Sequence, residues 1–126
     1  MKKLFLFFST LSFLLIACSG SDVYRGAWKA TDAQGGKFEL VFDAKLFSVT
    51  DSTGKKDDFK YSQNSVNINN GVSSYGIQLS DGRKYEILFP IPSNPKVALL
   101  KDENNVLVFA ISRDEFIKYE ELYNLK

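Results

Sequence analysis

The chain has 126 residues, with 44% hydrophobic, 25% charged and 14% aromatic content, a composition of one folded domain rather than a disordered segment. Sixteen basic against fifteen acidic residues give a net charge of +1, which leaves no basic field for a nucleic acid. Histidine is absent and cysteine occurs once, so His-based triads, His-ligated metals, an intrachain disulfide and thiolate cages are all excluded.

The first element in chain order is an address. Lys2 and Lys3 precede an apolar run from Leu4 to Ile16, shorter than the ~20 residues a transmembrane helix needs. The run ends in Leu15-Ile16-Ala17-Cys18, followed by Ser19-Gly20-Ser21. This tetrapeptide resembles the bacterial lipobox. The resemblance implies cleavage after Ala17, a diacyl group on the Cys18 sulfur and an acylated new amino terminus, with chains of the palmitate class. Several acyl chains convert marginal membrane binding into a stable anchor. Ser19, rather than Asp, resembles the pattern of lipoproteins that proceed to the outer membrane of Gram-negative bacteria. The expected organisation is therefore a signal peptide over 1–17, lipidated Cys18 with a short tether over 18–22, and a domain over 23–126. The chain from Cys18 onward holds 14 basic and 15 acidic residues, near neutrality.

From Val23 to Ile111 the hydrophobic period is two. Tyr24 to Thr31 reads as a first strand, and Gln34-Gly35-Gly36 as a turn. Phe38, Leu40 and Phe42 then alternate with polar neighbours, and Phe47 and Val49 form an inward pair before a polar loop over Asp51–Asp58. Phe59 and Tyr61, then Val66 and Ile68, repeat the alternation in weaker form up to the Asn70-Gly71 turn. Tyr75, Ile77 and Leu79 lead into Asp81-Gly82, a strong hairpin signal, and Tyr85, Ile87 and Phe89 lead out. Pro90, Pro92 and Pro95 interrupt pairing, and two last runs flank Asp102 to Asn105. The tail changes period: Phe116, Tyr119 and Tyr123 fall at helical spacing, predicting an amphipathic helix over 113–125 capped by Ser112 or Asp114. The fold class is mainly β: one antiparallel meander of seven or eight strands, closing into a small barrel or half-barrel because closure removes exposed edges.

Gly26-Ala27-Trp28 on the first strand resembles the Gly-x-Trp of the lipocalin-like calycin barrels. The resemblance implies that Trp28 closes the barrel floor. No later arginine stands out in the sequence as its counterpart.

Chemistry is sparse. Cys18 is consumed by lipid, and no Ser-x-x-Lys pair stands out. Asp51, Asp57, Asp58, Asp81, Asp102 and Glu103 fall in expected turns, where Asp stabilises the turn itself. The Asp51–Asp58 stretch lacks the alternating ligands of a calcium loop, and no glycine loop cradles a phosphate. No catalytic residue, cofactor or metal is expected. Tyr24, Tyr61, Tyr75 and Tyr85 recur on or beside inward faces, as core packing, as a ligand cup or as a protein-binding rim. Phe38, Leu40, Phe42, Phe47, Phe59 and Phe89 are enough to fill an eight-stranded interior alone. The sequence favours a non-enzymatic, lipid-anchored envelope lipoprotein serving as an interaction module for a protein partner. The alternatives are a lipocalin-like binder of a small apolar ligand and an inhibitor of a cell-wall hydrolase.

Overall fold

A computed structural model describes residues 23–122. They form one closed antiparallel barrel in which each strand pairs with its neighbours in chain order and the last returns to the first. The strands are β1 (Gly26–Thr31), β2 (Lys37–Phe42), β3 (Leu46–Asp51), β4 (Lys56–Asn69), β5 (Val72–Leu79), β6 (Lys84–Phe89), β7 (Val97–Asp102) and β8 (Leu107–Ser112). A short helix, α1 (Tyr119–Leu122), follows. The eight-strand alternative, closed, is therefore the fold.

Alternation decides which face is which. Trp28, Leu40, Ile87 and Leu100 are buried, while the intervening Lys29, Glu39, Glu86 and Lys101 face outward. The charged exterior and apolar interior are the reverse of a barrel that spans a bilayer. Up-and-down topology also defines two ends. The mouth carries the turns over 32–36, 52–55, 80–83 and 103–106. The base carries the incoming chain at Val23, the connections over 43–45, 70–71 and 90–96, and the exit at Arg113.

The mouth turns are built by aspartate. Asp32 accepts the amides of Gln34 and Gly36, Asp51 those of Thr53 and Lys55, Asp81 that of Arg83, and Asp102 those of Asn104 and Val106. Asp51, Asp81 and Asp102 thus do what turn chemistry predicts, joined by Asp32. Asp57 and Asp58 do not, because the loop after β3 is shorter than expected and both residues belong to β4.

The runs around Phe59 and Val66 are parts of a single strand. A register shift between Gln63 and Ser65 separates them, so the inward set passes from odd to even positions within β4. Gly76 lies across from this bulge, where a Cβ would collide with the Ser65 hydroxyl. Beyond the bulge the strand leaves the core. Val66 and Ile68, expected to be half-buried, are exposed because β3 pairs only with the other half of β4.

The tail departs most from the sequence reading. Where a helix over 113–125 is expected, the described residues hold only the four-residue α1. The Ser112 hydroxyl accepts the amides of Asp114 and Glu115 as an N-cap would, yet no helix follows directly. Arg113 is drawn away to the base, and Phe116 lies beneath the ammonium groups of Lys29 and Lys37, which hold the segment against the barrel wall. The buried anchors are Ile117 and Leu122, not Tyr119, which is exposed. They pack with Ile91, Val97, Leu99 and Ala110 into a second apolar cluster on the outer face of β7 and β8. Tyr123 lies outside the described residues.

Candidate functional site

The barrel is sealed at its base and hollow at its mouth. At the base, β1 pairs with β8 through only Lys29, Ala30 and Thr31, leaving its first half without a neighbour on that side. Arg113 completes the seam. Its guanidinium donates to the carbonyl oxygens of Val23 (3.0 Å), Arg25 (2.7 Å) and Ala27 (2.9 Å). The same planar group lies 3.8 Å from the centroid of the Trp28 ring. Partial burial lowers the Arg113 pKa from its ordinary value, a shift that still leaves the group charged at neutral pH. Gly26 makes the arrangement possible: its φ is +101°, and a Cβ there would stand 3.1 Å from an Arg113 nitrogen. The Trp28 indole N–H donates to the Tyr24 carbonyl at 2.7 Å.

The lower interior is full. Tyr24 packs edge-on against Phe42, Phe42 stacks on Phe47, and Tyr75 meets Phe89 edge-on. The Tyr24 hydroxyl donates to Gln63 at 2.7 Å, and that of Tyr61 donates to the Asp43 carbonyl. Burial pushes both phenols above their ordinary pKa, so each remains a protonated donor. Tyr24 and Tyr61 are therefore core residues with satisfied hydroxyls, and Tyr75 is a core residue packed against Tyr24.

The upper interior leaves a cavity of about 230 Å³. Phe47, Phe59, Leu79, Tyr85, Leu100 and Phe109 supply most of its wall, and Asp57 and Arg83 are its charged residues. A bulge between β7 and β8 adds Val108 to the inner surface. The Arg83 guanidinium lies 4.9 Å from the Phe59 ring centroid, donates to the Tyr85 hydroxyl at 3.3 Å and pairs with Asp81 at 2.8 Å. It forms a half-exposed strap across one side of the rim, its charge offset by Asp81. A second hollow, of about 330 Å³, lies outside the barrel between the 32–36 turn and α1; Asp32, Gln34, Lys118 and Glu120 make it polar.

Of the four tyrosines singled out in the sequence, only Tyr85 reaches the mouth cavity. Cys18 lies outside the described residues. Arg113 carried no local signal, since it stands far along the chain from Trp28 and reads as part of the link out of Ile111. Arg83 and Val108 were equally silent, one in a hairpin turn and one in a continuous apolar run. Among the described residues, no three His, Cys, Asp or Glu side chains converge as metal ligands do.

No protein-family model matches this chain, and no curated protein or solved structure matches it either.

Proposed function

We propose that this chain is a non-catalytic, lipid-anchored binding protein of the bacterial cell envelope, and that its barrel mouth takes a small apolar group. The mouth cavity carries the proposal. Its volume of about 230 Å³ falls below the ~300 Å³ at which drug-sized sites begin, yet exceeds the ~150 Å³ that already holds a benzene-sized ligand when the lining is apolar. The occupant is thus a single ring or a short branched aliphatic group, carried by a small molecule or at the end of a larger one. At the rim Arg83 is already matched by Asp81, so it offers no unpaired cation to a ligand. The non-catalytic reading is supported by the absence of histidine and by the lipobox assigning Cys18 to lipid. The anchor reading is supported by the order of charge, apolar run, small residue and cysteine over residues 1–21. The Gly-x-Trp resemblance is strengthened by Arg113 lying over Trp28.

The test is isothermal titration calorimetry of the purified protein with toluene, a single ring of the size the cavity admits, alongside a Leu79→Trp variant that fills the mouth. Saturable binding to the wild type, lost in a Leu79→Trp chain of unchanged circular dichroism, supports the site. Equal binding by both chains contradicts it. Intact mass tests the anchor independently: an unmodified Cys18 thiol in protein from its native envelope contradicts acylation.

A further inference from the structure

Six large hydrophobic side chains are exposed among the described residues: Val23, Leu46, Val66, Ile68, Val106 and Tyr119. The topology gathers the first four at the base, for Val23 enters there, Leu46 opens β3 there, and Val66 and Ile68 end β4 there. Val66 and Ile68 are 53% and 68% exposed, on the half of β4 that pairs with β5 alone. This ribbon extends the base, and its turn packs toward the 90–96 loop, with Gly71 close to Pro92.

The chemistry of this end is as distinctive as its exposure. No charged residue occurs from Tyr61 to Ser80, nor from Pro90 to Pro95. The nearby charges include both signs, Arg25, Lys45, Lys96 and Arg113 against Asp43 and Asp114, and Lys96 lies 3.9 Å from Asp114. The end therefore offers aliphatic groups and neutral amides and hydroxyls, with a small cationic excess beside them that does not repel an anionic surface.

The chain outside the described residues says what this end meets. Cys18 precedes Val23 by five residues, which span at most about 18 Å when extended. An acylated Cys18 keeps Val23, at the base, within that distance of the bilayer, whereas the tether sets no such limit for the mouth. At such tether lengths effective concentrations reach the millimolar range, so a contact too weak to bind a free protein is still populated. We propose that the base of the barrel docks on the lipid surface. Ile68, Val66, Leu46 and Val23 enter the headgroup boundary, and the mouth cavity opens away from the membrane. The proposal rests on the anchor reading but not on what the mouth binds.

The test uses the mature acylated chain in phosphatidylcholine nanodiscs. Because the Cys18 sulfur is acylated, a new cysteine is the sole free thiol for a nitroxide. One sample carries Ile68→Cys at the base, another Thr53→Cys at the mouth, and Val66→Cys gives a second base position should the first variant fold poorly. The expected result is that the base label relaxes faster with bilayer-dissolved oxygen and slower with an aqueous nickel complex than the Thr53→Cys label does. That pattern should persist at high salt and without anionic lipid. Equal aqueous exposure at both ends, with an intact mass confirming acylated Cys18, overturns the docking and leaves the anchor standing. An unacylated Cys18 overturns both. Spin–spin coupling between copies in place of lipid contact also overturns it, naming a second chain as the occupant.

Discussion

Arg113 and Trp28 form the residue pair on which closure of the barrel rests. Trp28 is 1% exposed, and its loss in Trp28→Ala should cost about 3–5 kcal/mol. Arg113→Ala removes a stacked cation and leaves three carbonyls of the β1 approach without their donor, so a loss of about 2 kcal/mol or more is expected in urea denaturation. Arg113→Lys should recover only part of it, because an ammonium neither stacks as a plane nor reaches three acceptors as a fork does. Since the two side chains touch, the double variant should lose less than the sum, with a coupling of about 1 kcal/mol; strict additivity would mean that the contact contributes nothing. The mouth turns give a second residue-scale expectation. Hydrogen bonds from the Thr53 hydroxyl and the Lys55 amide hold the Asp51 carboxyl below its ordinary value, and the Arg83 guanidinium does the same for Asp81. A depressed folded pKa stabilises the turn above the ordinary carboxylate value of about 4, and that stabilisation is lost as pH falls through the depressed one. Amide exchange at Thr53 and Lys55 should therefore speed up relative to the strands under acid, and Asp51→Asn should abolish the pH dependence there.

Among the elements, the tail tests whether the outer apolar cluster is part of the fold. Leu122 is fully buried against β7 and β8, although α1 alone is far too short to hold helical structure in water. Docking must therefore order it. Leu122→Ala is expected to cost about 2 kcal/mol, lowering the Tm by roughly 10 °C in a domain of this size. An unchanged Tm, with rapid exchange of the 117–122 amides, would mean the segment is undocked. The sequence made the barrel strands legible because each inward set keeps its parity between turn residues with a defined role: Phe38, Leu40 and Phe42, or Tyr75, Ile77 and Leu79. It misled where parity breaks or where a side chain is claimed from far along the chain. The bulge at Asn64 hid the continuity of β4, and helical spacing of Phe116, Tyr119 and Tyr123 concealed that Ile117 and Leu122 do the packing. The mouth was the least legible part. Its wall is assembled from β3 to β8 at one level of the barrel, a juxtaposition set by strand tilt and register, and no local pattern records that.

At the scale of the whole molecule, base and mouth divide the work. The base carries the Arg113–Trp28 seal, the filled aromatic core and an exposed aliphatic rim with charges of both signs beside it. The mouth carries aspartate-locked turns around the unfilled part of the interior. Under the proposed Cys18 anchor and base docking, the closed end would face the membrane and the open end would face outward. The central claim is that the mouth cavity is the binding site, and two-dimensional NMR of the labelled protein titrated with toluene tests it most directly. Shifts confined to Phe47, Phe59, Leu79, Tyr85, Leu100 and Phe109, with Trp28, Tyr24 and the 117–122 segment unmoved, are the predicted result. Shifts centred on Val66 and Ile68 or on the 117–122 segment, with the mouth residues unmoved, would contradict it.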